Sequence, residues 1–113
     1  MADLEGLAAK MKVLSDAYAA QLPERFAQLE QEWRKLPRDE WNDEGFMTLH
    51  RMVHSLTGSG KTFGFATLSD LSRKLEDDLE QFAQAKIVLS EAQRGYVEKA
   101  IAELRQSALH QDA

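Results

Sequence analysis

The chain has 113 residues, enough for one hydrophobic core but not two, with 14 Lys and Arg against 19 Asp and Glu for a net charge of −5. It has no cysteine, which excludes a disulfide framework and a thiolate metal site and fits a reducing compartment. The acidic balance argues against nucleic acid as a partner, and neither a secretory signal nor a membrane-spanning run is visible. The expected setting is the cytoplasm, of bacterial type.

Ala, Leu, Glu, Gln, Lys and Arg dominate and β-branched runs are absent, so the material is helix-forming throughout. Leu4, Leu7, Met11, Leu14 and Tyr18 step by three and four residues, as an amphipathic helix requires. That stripe either caps a bundle or pairs with a partner helix. Leu22, Phe26, Leu29, Trp33 and Leu36 repeat the pattern after a break, and Pro23 sits where a first helical turn tolerates proline, so a new or kinked helix is predicted to start there. Pro37 should stop it. "RDEWNDEG" reads as a connection, with Trp41 placed to cover a bundle end and Asn42 or Asp43 able to cap the next helix.

That helix carries the stripe Phe46, Leu49, Val53, Leu56, Gly60 and Phe63, and the next carries Leu68, Leu71, Leu75, Leu79 and Phe82. Ser90 is a plausible N-cap for the last, whose stripe runs through Tyr96 or Val97 to Leu104. The fold class predicted is all-α, an antiparallel four-helix bundle with an additional N-terminal helix. One domain covers 1–113, with the N-terminal helix at about 3–20 and the bundle at about 22–110. The ends, Met1 to a polar "HQDA", are those expected of a free-standing chain, and the default oligomeric state is a monomer.

Gly60-Lys61-Thr62 looks like the end of a nucleotide-binding loop. Such a loop needs a glycine five places earlier, where this chain has Ser55, and it must follow a buried strand. The preceding "FMTLHRMVHS" has helical spacing instead. The match is one of composition.

His54 lies one residue past Val53, about 100° round a helix of ~3.6 residues per turn, beside the core stripe and near solvent. His50, His54, Thr57, Gly58 and Lys61 are expected to share that flank. Gly58 leaves an open patch one turn from the imidazole, Gly60 lets a neighbouring helix approach, and Gly64 suits a helix terminus. Each interior glycine costs up to ~1 kcal/mol relative to Ala, which folding alone does not explain next to an accessible histidine. Glu76 follows Leu75 as His54 follows Val53, so two antiparallel helices joined near Gly64 bring the two flanks together. A carboxylate accepting from Nδ1–H would fix the tautomer and leave Nε2 nucleophilic. His50 and His54 form a His-x-x-x-His pair, but with no Cys and no clear third ligand no metal site is assigned.

"HSLTGSGKTFGFATLSDLSRKLEDDLE", His54 to Glu80, resembles the signature of histidine-containing phosphotransfer (HPt) domains, roughly His-x-Leu-Lys-Gly, then Gly, then Leu-Glu. It is most similar to the form found in chemotaxis kinases, where "TFGF" recurs at the same distance from the histidine. The resemblance implies a phosphoryl carrier without its own ATP site or turnover. His54 would accept the group on Nε2 and pass it to, or take it from, an aspartate of a response-regulator receiver domain, with a sensor or hybrid histidine kinase upstream. No cofactor is implied for the chain itself, since the receiver brings the magnesium. By the same resemblance Glu76 orients the imidazole, Gly58 leaves room for the phosphoryl group, and Arg73 is a second polar residue one turn before the Glu. Thr57 departs from the pattern, because the family usually has Lys there; Lys61, or Arg51 from the other side, would supply the charge instead. The alternative is a non-phosphorylated helical adaptor, or anti-regulator, that docks on a receiver.

Overall fold

Tyr18, Leu22, Phe26, Leu29 and Trp33 keep one phase around a helix, and all five are buried. The computed structural model describes residues 4–112 and carries this stripe on one helix, α1 (Leu4–Lys35), with Pro23 inside it. The separate N-terminal helix expected before Pro23 is therefore the first part of α1. An interior proline costs ~3 kcal/mol through its missing N–H and its clash with the preceding turn. Leu22 and Phe26, each 2 % exposed, contribute roughly 1.5–3 kcal/mol apiece by burial. Pro23 itself points to solvent, so packing on both sides of it holds the axis.

Helix α2 (Asp43–Gly60) starts at Asn42, whose side chain accepts the Gly45 N–H at 2.7 Å. A 3-10 turn, Lys61–Phe63, ends at Gly64 with φ 91°, the left-handed backbone that favours glycine. Then come α3 (Ala66–Ala85) and α4 (Glu91–Ser107), the latter opened by a capping box between Ser90 and Gln93. Among the described residues there is no strand, and no helix is long and apolar enough to cross a membrane. The core draws on all four helices, with Val53, Leu56, Leu68, Leu75, Val97 and Leu104 almost fully enclosed. Trp33 is buried under the Arg94 guanidinium, 4.7 Å from its ring centre, and Trp41 stacks on Phe46.

The polar C-terminal residues act as a strap. Helix α3 has no cap from its own Phe65. Instead the Asp112 carboxylate accepts the Thr67 N–H at 2.7 Å, and Gln111 Nε2 donates to the Phe63 carbonyl at 2.9 Å. A chain end thus closes the turn between α2 and α3.

Between α3 and α4 the Tyr96 hydroxyl donates to Asp78 Oδ2 at 2.6 Å. That bond, then desolvation and the nearby charges of Asp78 and Glu103, raise the Tyr96 phenol above its ordinary value of 10.0. A raised folded-state value means the contribution is fully present below the unfolded phenol's value and is lost as pH rises through the folded one. Tyr96 is 43 % exposed, so solvent screening keeps the bond to about 1 kcal/mol or less. Tyr96→Phe is expected to lower the urea midpoint slightly near neutral pH. The gap to the native chain should close once the medium is alkaline enough to ionise the tyrosine in both folded and unfolded chains.

Candidate functional site

Val53 is fully buried, and Leu56 is 1 % exposed; His54, the residue after Val53, is turned out by the helical step. Its side chain is 70 % exposed, and Nδ1 lies 2.6 Å from Oε1 of Glu76 on α3, itself only 15 % exposed. Leu75, next to Glu76, is buried at 2 %, so α3 is anchored one residue from the carboxylate. An ionised carboxylate can only accept, so Nδ1 carries a proton, and in the neutral ring the lone pair is then on Nε2. No described residue hydrogen-bonds Nε2.

The glycines separate into two kinds. A Cβ at Gly60 would meet the Phe65 carbonyl oxygen at 3.2 Å and the Ser69 nitrogen at 3.4 Å, so that glycine serves the close approach of α3. A Cβ at Gly58 would meet nothing within 4 Å. Nothing inside the chain accounts for a residue that costs up to ~1 kcal/mol in a helix interior. Gly95 of α4 is equally open, but α4 carries no histidine. At Gly58 the open space adjoins an imidazole with a free nitrogen.

The remaining expected residues divide. Thr57 is not on the His54 flank. It is 8 % exposed, its hydroxyl donates to the Val53 carbonyl at 3.2 Å, and its own carbonyl accepts the Ser69 hydroxyl at 2.6 Å. One position round from Leu56, it faces α3, where its methyl and satisfied hydroxyl suit a helix contact. Lys61 begins the 3-10 turn, exposed and without a side-chain partner, two turns from His54, about 10 Å along the axis. Arg73 is exposed on α3 one turn before Glu76. His50 is half-buried, with Nε2 3.9 Å from the same Glu76 oxygen and its ring parallel to that of His54 within 7°. That Nε2 is enclosed and has no hydrogen-bond partner. Among the described residues no group of three or more His, Asp or Glu is placed to hold a metal ion.

Arg51 lies on the side facing α1. It borders a groove of about 280 Å³ together with Arg25, Gln28, Met52, Ser55 and Leu56. Arg25 is the site-side residue that sequence reasoning missed. Its guanidinium donates to the Ser55 hydroxyl at 2.9 Å and to Ser59 at 3.4 Å, beside a Tyr18–Ser59 hydroxyl contact of 2.8 Å. A permanent positive charge is thereby held one residue along α2 from His54. No local spacing could signal this, because Arg25 sits on another helix, 30 residues from Ser55.

The family model of the Hpt domain matches residues 13–107. The chain belongs to the Hpt domain family. No curated protein and no solved structure matches it. Hpt domains take part in histidine phosphotransfer in phosphorelays, between histidine kinases and receiver domains, as phosphocarriers rather than ATP-using enzymes. The all-helical fold of this Hpt domain is consistent with that membership.

Proposed function

We propose that this Hpt domain, an antiparallel four-helix bundle, carries a phosphoryl group on Nε2 of His54, to or from an aspartate of a response-regulator receiver domain. The observation that carries the reading is the 2.6 Å contact of Nδ1 with Glu76 beside the empty space over Gly58. The Nε2 lone pair attacks phosphorus while the bond to the donor's oxygen or nitrogen breaks. The ring becomes a phosphoimidazolium whose Nδ1–H faces the Glu76 carboxylate, which offsets the new positive charge. Transfer onward reverses these steps, the aspartate oxygen attacking and Nε2 leaving with its pair. Positioning and charge neutralisation suffice for such transfer. Arg51 and Arg25 on one side and Lys61 and Arg73 on the other are the cations available to the phosphoryl oxygens.

The test is intact mass after incubation with a small phosphoramidate, followed by addition of a receiver domain. An acid-labile gain of one phosphoryl group that then moves to the receiver supports the reading. No gain on a folded chain that still binds a receiver favours the adaptor instead.

Gly58 supplies a second check. Gly58→Ala is expected to raise stability by up to about 1 kcal/mol, since it adds helix propensity and meets no neighbour. Gly58→Leu should also keep the fold, yet slow receiver-dependent transfer at least about tenfold by displacing the partner. Thermal midpoints and single-turnover transfer rates read the two effects separately. A Gly58→Leu chain that transfers at the native rate would remove the functional explanation of this glycine.

A further inference from the structure

Among the described residues the Glu76 side chain has a single hydrogen bond, its 2.6 Å contact with Nδ1 of His54. A carboxylate whose sole partner is the ring it orients gives that ring no fixed reference, because the two can turn together. Leu75 anchors the α3 backbone beside it, but several side-chain torsions still separate that backbone from Oε1. His50 comes to the same oxygen from one turn earlier in α2, with Nε2 at 3.9 Å. The His50 side chain is 36 % exposed, yet this nitrogen is enclosed and has no hydrogen-bond partner. Enclosed polar atoms are almost always satisfied, and solvent does not reach this one. Of the described Lys, Arg and His side chains, His54 and His50 are the two within ion-pair distance of Glu76. Arg73, one turn earlier on α3, is exposed and makes no such contact.

We infer that His50 is a positioning residue for phosphotransfer: its Nε2–H is the second donor to Oε1 of Glu76, and through that carboxylate it fixes the tautomer and direction of His54. The inference rests on the reading of His54 as the phosphoryl acceptor. The proton follows from the partner. A lone pair on Nε2 would face an anionic oxygen that can only accept, and the two would repel. Nε2 of His50 therefore carries the proton, and in the neutral ring the lone pair lies on Nδ1. The two histidines are opposite tautomers aimed at one atom, and a carboxylate oxygen has lone pairs for both. Their planes lie 7° apart with ring centres separated by 6.3 Å, as neighbouring turns of one helix allow. A movement of about 1 Å takes the 3.9 Å contact to hydrogen-bond length, and such bonds are commonly long before the reacting group arrives.

With both donors in place, Oε1 is located by a ring that takes no part in the transfer. The gain lies in the population of the reactive form. An Nε2–H tautomer of His54 has no lone pair where phosphorus arrives, so each molecule in that form is inert, and holding Oε1 against Nδ1 suppresses it. A neutral imidazole suits the task because it orients the carboxylate without adding charge. A Lys or Arg in its place would draw on the negative charge that the phosphoimidazolium needs. The His-x-x-x-His spacing of His50 and His54 finds its use here as two rings serving one carboxylate, while no described group of three or more His, Asp or Glu is placed to hold a metal ion.

Long-range proton–nitrogen NMR correlations of the unphosphorylated full chain, recorded in mildly alkaline buffer, read the tautomer of each ring. The three histidines are assigned by single substitution. Native His50 should be Nε2–H and native His54 Nδ1–H. His50→Leu keeps apolar bulk but removes the donor; it should let the Nε2–H form of His54 appear and slow phosphorylation by phosphoramidate about tenfold. His50→Gln keeps an amide N–H of similar reach and should retain the His54 tautomer and most of the native rate. Thermal midpoints of both variants separate loss of positioning from loss of fold. A native His50 found as Nδ1–H would overturn the inference. So would a His50→Leu chain with native tautomer and rate, or an equally folded His50→Gln chain as slow as His50→Leu. A native chain that takes up no phosphoryl group would remove the acceptor reading instead, and the tautomers would still decide whether His50 holds Glu76.

Discussion

His54→Gln is expected to remove all but a slow background of acid-labile phosphorylation while changing stability by less than about 0.5 kcal/mol. The side chain is 70 % exposed, so little packing is lost, and a glutamine amide can still donate to Glu76. What disappears is the free ring nitrogen. Of the other two histidines, His50 has its Nε2 enclosed within the fold, and His110 is exposed near the C-terminus, away from any carboxylate contact. Peptide mapping of the native chain should therefore find the group on His54, with any slow background from phosphoramidate on His110. Glu76→Ala sharpens the point. It leaves the nucleophile but frees the ring to rotate and removes the countercharge, and a mispositioned reactant costs on the order of 10²-fold in rate. Accumulation on the His54→Gln chain at the native rate would sink the assignment. A Glu76→Ala chain as fast as native would leave His54 in place and remove Glu76 from the mechanism.

The largest loss of stability is expected from Gly60→Val. The atoms a Cβ would meet there are the backbone oxygen of Phe65 and the backbone nitrogen of Ser69, which cannot swing aside as a side-chain tip does. Valine adds two further carbons at the same place. Its better helix propensity returns about half a kcal/mol, against an overpacking cost of about 1–3 kcal/mol or more. Helices α2 and α3 are also stitched at this point, by Phe65 N–H to the Gly60 carbonyl at 2.8 Å and by the Ser69 hydroxyl to the Thr57 carbonyl. Moving α3 outward would break these bonds and draw Glu76 from His54. We expect a net loss of about 2–3 kcal/mol, a fall of roughly 10 °C or more in the thermal midpoint, together with slower phosphorylation. Urea and thermal unfolding measure the first and the phosphoramidate reaction the second. An unchanged midpoint would mean that the two helices are not in tight contact at Gly60. The opposite behaviour of Gly58, where added atoms meet empty space, makes the pair internally controlled.

Local chemistry determined much of this protein. A step of three or four residues places apolar side chains on one helical face whatever the chain later packs against, so the stripes on α2, α3 and α4 were legible as written. Ser90, and Asn42 with Asp43 as its alternative, could be read as caps because such hydrogen bonds run to residues three positions away. The contact of His54 with Glu76 was legible for a related reason: the connection between α2 and α3 is too short to allow many arrangements of two helices whose apolar faces must both be covered.

Tertiary packing decided what depends on distant partners. Pro23 continues α1 because Leu22 and Phe26 are buried on either side of it. Thr57 turns inward because α3 supplies the Ser69 hydroxyl for its carbonyl, although its spacing alone put it beside His54. Arg25 reaches Ser55 across 30 residues, and Asp112 caps α3 across 45. Periodicity also gave the Leu4–Leu14 stripe, but only the fold shows that the chain's own bundle ends at Tyr18 and leaves that stripe exposed. Helical phase is a property of neighbouring residues, whereas the group that finally covers a face is set by whichever other part of the molecule gains most by burying it.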